Sequence, residues 1–247
     1  MTTTVTESRP RLDGKTALVT GASRGIGRAM ALMLARAGAH VLAIARTVGA
    51  LEALDDEIKA LGGSASLIPM DLTEGDGVEQ LAGALTKRFD ALDFAVLNAA
   101  MLGELSPVQD ISPKIWTKTL DLNLTVNWRL LRALHPLLKA AMPAKVLFMS
   151  SNVGGDVARP YWGAYAVSKA ALEMLAQTYA AENEKTGVSV AVIHPGAMRT
   201  GMRAQAMPGE DPETLPTPDA LEGLFYHALT ATWNGALTLR QREWPPQ

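Results

Sequence analysis

The stretch KTALVTGASRGIGRAMALMLARAG, Lys15 to Gly38, decides the fold. Its first six residues are apolar in the middle and end on β-branched side chains, which reads as a short buried strand. The chain then breaks into GASRGIG and resumes as RAMALMLARAG, with apolar residues at helical spacing and Gly38 closing the run. Strand, glycine turn and helix in this order let backbone N–H groups and a helix N-terminus approach a pyrophosphate. The candidate contacts are Gly21, Ser23, Arg24, Gly25, Ile26 and Gly27. A tight turn without a ligand is the alternative. The spacing is not the G-x-G-x-x-G of other dinucleotide folds, so TGASRGIG stands as a motif of its own.

Working outward, HVLAIAR reads as a second strand and LEALDDEIKALGG as a second helix closed by a glycine pair. ASLIPMD, a helix from about 74 to 88, and DFAVLNAA continue the alternation. Strands separated by helices predict an α/β fold, a doubly wound parallel sheet with helices on both faces. Pro113 opens a long helical segment that Pro136 should kink or end. AKVLFMSS is a strand, a helix follows to about Lys185, and VSVAVIHPG is a buried strand ended by Pro195 and Gly196. A helix over about 219–232 and the strand GALTLRQ bring the total to seven strands. One Rossmann-like domain is expected over 12–247, after a loose tail over 1–11. Residues 203–218 carry four prolines in sixteen residues without periodicity, which reads as a mobile loop on the substrate side.

Composition narrows the class. A chain of 247 residues can bury roughly 70 to 75% of its unfolded surface, enough for a sizeable core. With 48% hydrophobic residues and a net charge of −2, no broad basic face advertises nucleic acid. There is no cysteine, which excludes disulfides, thiolate metal sites and cysteine nucleophiles, and fits a cytoplasmic location. No window approaches the ~18 apolar residues of a membrane span. His40, His135, His194 and His227 show no metal spacing, so no metal is expected. Small molecules and copies of itself are the expected partners.

Several residues carry chemistry. About twenty positions beyond the glycine turn, where an NAD site usually has an acid, stand Ala45 and Arg46. Arg46 and Arg24 would meet a 2′-phosphate, which favours NADP(H) and leaves NAD(H) as the second choice. Asp71, with Leu72 beside it, suits an adenine amine or a helix N-cap. Asn98, Ala99 and Ala100 end a strand where small residues let the chain pass close to a cofactor or simply turn a packed corner. In the helix that begins near Tyr161, Tyr165 and Lys169 are four apart and share a face. A cation beside a phenol favours the phenolate by about 1 to 3 pH units, which would make Tyr165 a proton donor and acceptor near neutrality. Tyr161, Trp162 and Met202 suit either a pocket wall or ordinary packing. Arg199 and Arg203 would bind an acidic group or stand solvated.

In order along the chain, TGASRGIG (Thr20 to Gly27), DLT (Asp71 to Thr73), NAA (Asn98 to Ala100) and NLT (Asn123 to Thr125) are followed by SSNVG (Ser150 to Gly154), YAVSK (Tyr165 to Lys169) and PGAMRT (Pro195 to Thr200). Over nearly its full length the chain resembles the classical short-chain dehydrogenase/reductase family. The resemblance implies hydride transfer between a nicotinamide cofactor and a carbonyl or secondary alcohol, with Tyr165 as acid/base. It further implies that Lys169 lowers the tyrosine pKa and holds the nicotinamide ribose, Ser151 holds the substrate oxygen and Asn123 supports a water-linked relay. Pro195, Gly196 and Ala197 would line the nicotinamide, and Thr200 would bond its carboxamide or the phosphates. Association as a homodimer or homotetramer through the two long helices is also implied. The chain departs from the pattern twice. Ser151 lies fourteen rather than thirteen residues before Tyr165, which leaves Asn152 as its rival, and LNAA replaces NNAG, so Leu97 removes an amide that braces central strands. The alternative function is a catalytically silent dinucleotide-binding protein, for which a missing tyrosine or lysine is expected. An epimerase or dehydratase would need a larger C-terminal region.

Overall fold

The computed structural model describes residues 9–245, so most of the expected N-terminal tail lies outside the described residues. Seven short strands form the centre: β1 (Thr16–Thr20), β2 (His40–Ala45), β3 (Ser64–Pro69), β4 (Phe94–Leu97), β5 (Ala144–Met149), β6 (Val188–His194) and β7 (Ala236–Arg240). They pair in the order β3-β2-β1-β4-β5-β6-β7, and every pairing is parallel. β1 and β5 are buried on both faces, which is why their sequences read as apolar runs rather than alternations.

Helices cover both faces. On one side Met30 and Leu34 of α1 (Gly25–Arg36), Leu54 and Ile58 of α2 (Val48–Ala60) and Phe225 of α9 (Glu222–Thr230) share one core cluster. On the other side lie α3 (Gly77–Arg88), α5 (Val126–Ala141) and α7 (Gly163–Glu182), through Leu81, Leu134 and Leu172. The chain runs from β1 outward to β3 and then crosses back to β4, beside β1. The carboxyl ends of β1 and β4 therefore flank the crevice where open α/β sheets bind ligands.

One expectation from the sequence is corrected. Pro136 neither ends nor interrupts its helix: α5 runs on to Ala141. Burial of Leu130, Leu134, Leu137 and Leu138 outweighs the roughly 3 kcal/mol that a missing N–H and a ring clash cost within a helix. The break in the long segment comes earlier, where α4 (Pro113–Leu120) passes into α5 through a π-helical turn over Asp121–Thr125. The segment 203–218 is a loop with short helical pieces in it. It contains the end of α8 (Gly201–Ala206) and a 3-10 turn at Pro212–Thr214, and it runs into another at Pro218–Leu221.

Candidate active site

The glycine turn is built by close approach. Gly21 and Gly25 adopt φ of +67° and +55°, a region that costs a side chain energy. A Cβ on Gly27 would fall 2.3 Å from the Gly21 carbonyl oxygen and 2.4 Å from Asn98 Nδ2, so only glycine lets α1 start against the end of β1. Arg24, the N-cap of α1, supplies no side-chain acceptor, which leaves the positive end of the helix open. Across the turn, the Thr200 methyl carbon lies 3.4 Å from where a Cβ on Gly25 would stand. Ser23 and Ile26 complete the turn, and Ile26 packs partly on the core.

Thr20 is a residue that sequence reasoning passed over. Its hydroxyl accepts the backbone N–H groups of Asn98 (2.9 Å) and Ala99 (3.0 Å), and Asn98 Nδ2 donates back to the Thr20 carbonyl at 2.9 Å. These bonds tie the ends of β1 and β4 together, and Leu97 is buried in the core. The available signal was a hydroxyl at the last strand position before the glycine turn.

At the far end of the crevice, Arg46 Nη1 lies 3.5 Å from Asp71 Oδ2, with Arg46 exposed. Asp71 Oδ1 accepts from the Thr73 backbone N–H at 3.0 Å and its hydroxyl at 2.7 Å. It thus closes a turn and does not cap α3, which begins at Gly77. Burial pushes the Asp71 carboxyl up, but the Thr73 bonds and Arg46 outweigh it and hold the group below the usual carboxylate range. Leu72 is buried in the core, and Arg24 stands exposed at the turn.

The expected catalytic side chains converge. Asn123 sits in the π-helical turn and is fully buried. Its Oδ1 accepts from Met101 N–H at 2.8 Å, while Nδ2 donates to the Met101 carbonyl and to Ser168 Oγ, both at 2.9 Å. Ser168 Oγ in turn donates to the Tyr165 carbonyl at 2.7 Å, so this amide locks β4's extension to α7. π-helical turns recur at functional sites, and nothing in the residue pattern announces this one.

Ser151 Oγ accepts from Val153 N–H at 3.2 Å, and its hydroxyl stands near enough to the Tyr165 phenol to favour the ionised form. Asn152 faces elsewhere, onto a small cavity with His194, Gly196, Arg240 and Arg242. Lys169 is buried and donates to the Met149 carbonyl at 2.7 Å, with Nζ 5.7 Å from the centre of the Tyr165 ring. Burial lowers its pKa to about 8, opposed in part by the Glu173 carboxylate. The lowered phenol pKa expected from the spacing of Tyr165 and Lys169 is not present here. Burial raises the Tyr165 pKa, and the nearby Ser151 hydroxyl offsets it only in part.

Around Tyr165 the walls are apolar. It clusters with Leu102, Val153 and Ala206, with Trp162 and Met202 packed against them. Trp162 meets the Tyr165 ring edge-on, at 5.7 Å between centroids. Tyr161 is exposed, and its carbonyl accepts from Ser106 N–H. Pro195 is buried, while Gly196 and Ala197 are exposed beyond β6. Thr200 Oγ1 accepts from Arg203 N–H at 3.2 Å and caps α8.

The two arginines of the neighbouring segment are each paired with a carboxylate, Arg203 largely enclosed and Arg199 partly exposed. Arg203 contacts both oxygens of Glu210 at 2.6 Å, and Arg199 Nη1 meets Glu213 at 3.0 Å. These pairs border a cavity of about 280 Å³ that Thr200, Met207 and Leu215 also line.

A doubly wound parallel sheet with a glycine turn after its first strand, and with Ser151 after β5 and Tyr165 and Lys169 on α7, suits a nucleotide-dependent oxidoreductase, and comparison with known proteins gives the family. A short chain dehydrogenase family model matches residues 15–211. The uncharacterized oxidoreductase YciK of Escherichia coli is 36% identical over 217 residues, which cover 87% of this chain and 85% of that protein. The structure of a putative short chain dehydrogenase from Pseudomonas syringae superposes with a TM-score of 0.90 at 36% identity, covering 95% of this chain and 97% of the other. A short chain dehydrogenase from Shigella flexneri, crystallised with NADP, gives 0.90 at 33% identity and covers 95% and 100%. The chain belongs to the short-chain dehydrogenase family.

The buried lysine makes stability depend on pH with a definite sign. The pKa of Lys169 falls from 10.5 to about 8 on folding, so across that window the unfolded chain binds more protons and stability rises with pH. Below it, the folded protein carries the full cost of the buried charge. Lys169→Met should therefore melt higher than wild type, or closer to it, at about pH 7, and lose that relative advantage as pH approaches about 10. Thermal melts of the two proteins check this; a difference that stays constant or grows with pH contradicts it.

Proposed function

We propose that this chain is an NADP(H)-dependent oxidoreductase that interconverts a carbonyl and a secondary alcohol. The observation that carries the reading is the buried Lys169, which donates to the Met149 carbonyl and stands 5.7 Å from the centre of the Tyr165 ring, with the Ser151 hydroxyl near the phenol. That arrangement offers one hydroxyl to hold a carbonyl oxygen and another to give it a proton.

The crevice suits the cofactor. The open N-terminus of α1 and the turn from Gly21 to Gly27 would hold the pyrophosphate. The exposed guanidinium groups of Arg24 and Arg46 favour a 2′-phosphate, and the Shigella relative was crystallised with NADP. NAD(H) is the weaker alternative. Asp71 and Leu72 would border the adenine, Asn98 to Ala100 would pass beneath the ribose side, and Pro195 to Ala197 with Thr200 would border the nicotinamide. When bound, the cofactor supplies the hydride. The chain's own residues then handle the oxygen. Ser151 Oγ orients it, and Tyr165 Oη donates the proton during reduction or accepts it during oxidation. A cation held near the phenol and ribose lowers the cost of the tyrosinate. Asn123 keeps α7 and the extension of β4 in register, so that Tyr165 and Lys169 hold their positions.

The apolar walls of Leu102, Val153, Trp162 and Ala206 favour carbonyls flanked by hydrocarbon. A complete tyrosine and lysine pair weighs against a silent dinucleotide-binding protein. Trp128 on α5 and Val167 and Met174 on α7 expose large apolar side chains on the helices expected to pair copies of the chain. Sedimentation of Trp128→Glu as a smaller species than wild type would mark that face; unchanged size would exclude it.

Mutation tests the site directly. Tyr165→Phe should abolish NADPH-linked carbonyl reduction while leaving NADPH binding within about twofold, because general acid catalysis contributes about 10²–10⁴-fold. Ser151→Ala should cost far more turnover than Asn152→Ala. An active Tyr165→Phe enzyme sinks the proposal, and the reverse order for serine and asparagine moves the oxygen-binding position to residue 152.

A further inference from the structure

Behind the catalytic candidates lies a second charged cluster that the proposed reaction leaves unused. Glu173 is one turn beyond Lys169 on α7 and therefore shares its face. Its Oε1 accepts from Ser150 Oγ at 2.6 Å, at the end of β5 and next to Ser151. The same oxygen lies 2.9 Å from His194 Nε2, at the end of β6 and next to Pro195. That contact is close without being aligned as a hydrogen bond, so it acts through proximity. The turn at α6 (Asn152–Gly155) is fitted against the same carboxylate: a Cβ on Gly155 would stand 2.4 Å from Glu173 Oε1. One carboxylate thus touches the strand end that leads to Ser151, the strand end that leads to Pro195, and the helix that carries Tyr165 and Lys169.

We infer that Glu173 is a positioning residue of this site: it ties the ends of β5 and β6 to α7 and sets a negative charge one helical turn from Lys169. This rests on the proposed function for the role of Lys169, and on the geometry for the rest. Among the described residues, the charged groups around Glu173, directly or through Asp156, come from four neighbouring elements. Lys169 lies on its own helix, His194 on β6, Asp156 just after α6, Arg240 on β7 and Arg242 just beyond it. Asp156 is taken up by Arg240, at 3.0 and 2.6 Å, and by Arg242 at 3.5 Å. Glu173 is the carboxylate whose field opposes burial of the Lys169 charge. Burial pushes Glu173 itself up, yet its contacts with His194 and Ser150 hold it below the usual carboxylate range, so it stays anionic through neutral pH.

Glu173→Gln preserves shape and the acceptor for Ser150 while removing the charge, and Glu173→Asp preserves the charge while shortening the reach. NADPH titrated into each protein, followed by cofactor fluorescence, reads the state of Lys169 without requiring a known substrate. E173Q should bind like wild type at about pH 6 and roughly three- to tenfold more weakly at about pH 8.5, because its lysine loses the proton earlier. E173D and Ser150→Ala should follow the wild-type pH dependence, whatever melting temperature they lose. A ratio of E173Q to wild type that is the same at both pH values overturns the inference, as does an alkaline-specific loss in S150A or E173D. The latter two variants decide the matter even where E173Q does not fold. Wild-type protein that fails to bind NADPH at either pH overturns the functional reading, and this inference with it. Wild-type binding with an unshifted E173Q overturns the inference alone.

Discussion

A buried ammonium at the carboxyl edge of the sheet is the constraint on which the rest of the site depends. An isolated charge moved out of water costs several kcal/mol even after relaxation, and Lys169 is almost wholly enclosed. The protein offsets the cost in part with the Met149 carbonyl and the Glu173 carboxylate, and in part by letting the pKa fall toward neutrality. Both devices require the ends of β5 and β6 to stay fixed against α7. The same rigidity holds Ser151 against Tyr165. Stability is spent here to keep reactive groups in place, as is common where function demands an unfavourable environment.

The opposite end of the crevice solves a complementary problem with backbone alone. The helix dipole and uncapped N–H groups of α1 want an anion, and the sequence provides no side-chain acceptor to satisfy them from within. Close contact of Gly27 with Gly21 and Asn98 brings that helix end to the mouth of β1. Cation at one end and helix N-terminus at the other leave a crevice shaped for an extended, negatively charged molecule.

The fold was legible because its signals are local. Apolar strand runs, glycines at helix ends and helical spacing gave the alternation and the seven strands. Helix spacing puts Tyr165 and Lys169 on one face and no more; their proposed roles came from the set of family motifs, while the glycine turn shows itself through its place between strand and helix. What stayed hidden depends on contacts distant in sequence. Thr20 gains its role only once β4 arrives beside β1. The π-helical turn at Asn123 is a backbone adjustment that residue types do not encode. The direction of the Tyr165 pKa was not legible because spacing places a cation on the same helix face but does not reveal the burial that raises the phenol. The proline-rich segment 203–218 reads as a loop without periodicity, and its short helical end and turns, with the Arg203–Glu210 and Arg199–Glu213 pairs, depend on contacts that the residue pattern does not announce.

Absorbance of NADPH during incubation with a panel of aldehydes, ketones and secondary alcohols tests the central claim most directly. The account predicts oxidation of NADPH by at least one carbonyl flanked by apolar groups, several-fold faster than oxidation of NADH at equal concentration. NADPH that is neither bound nor consumed across the panel would contradict it.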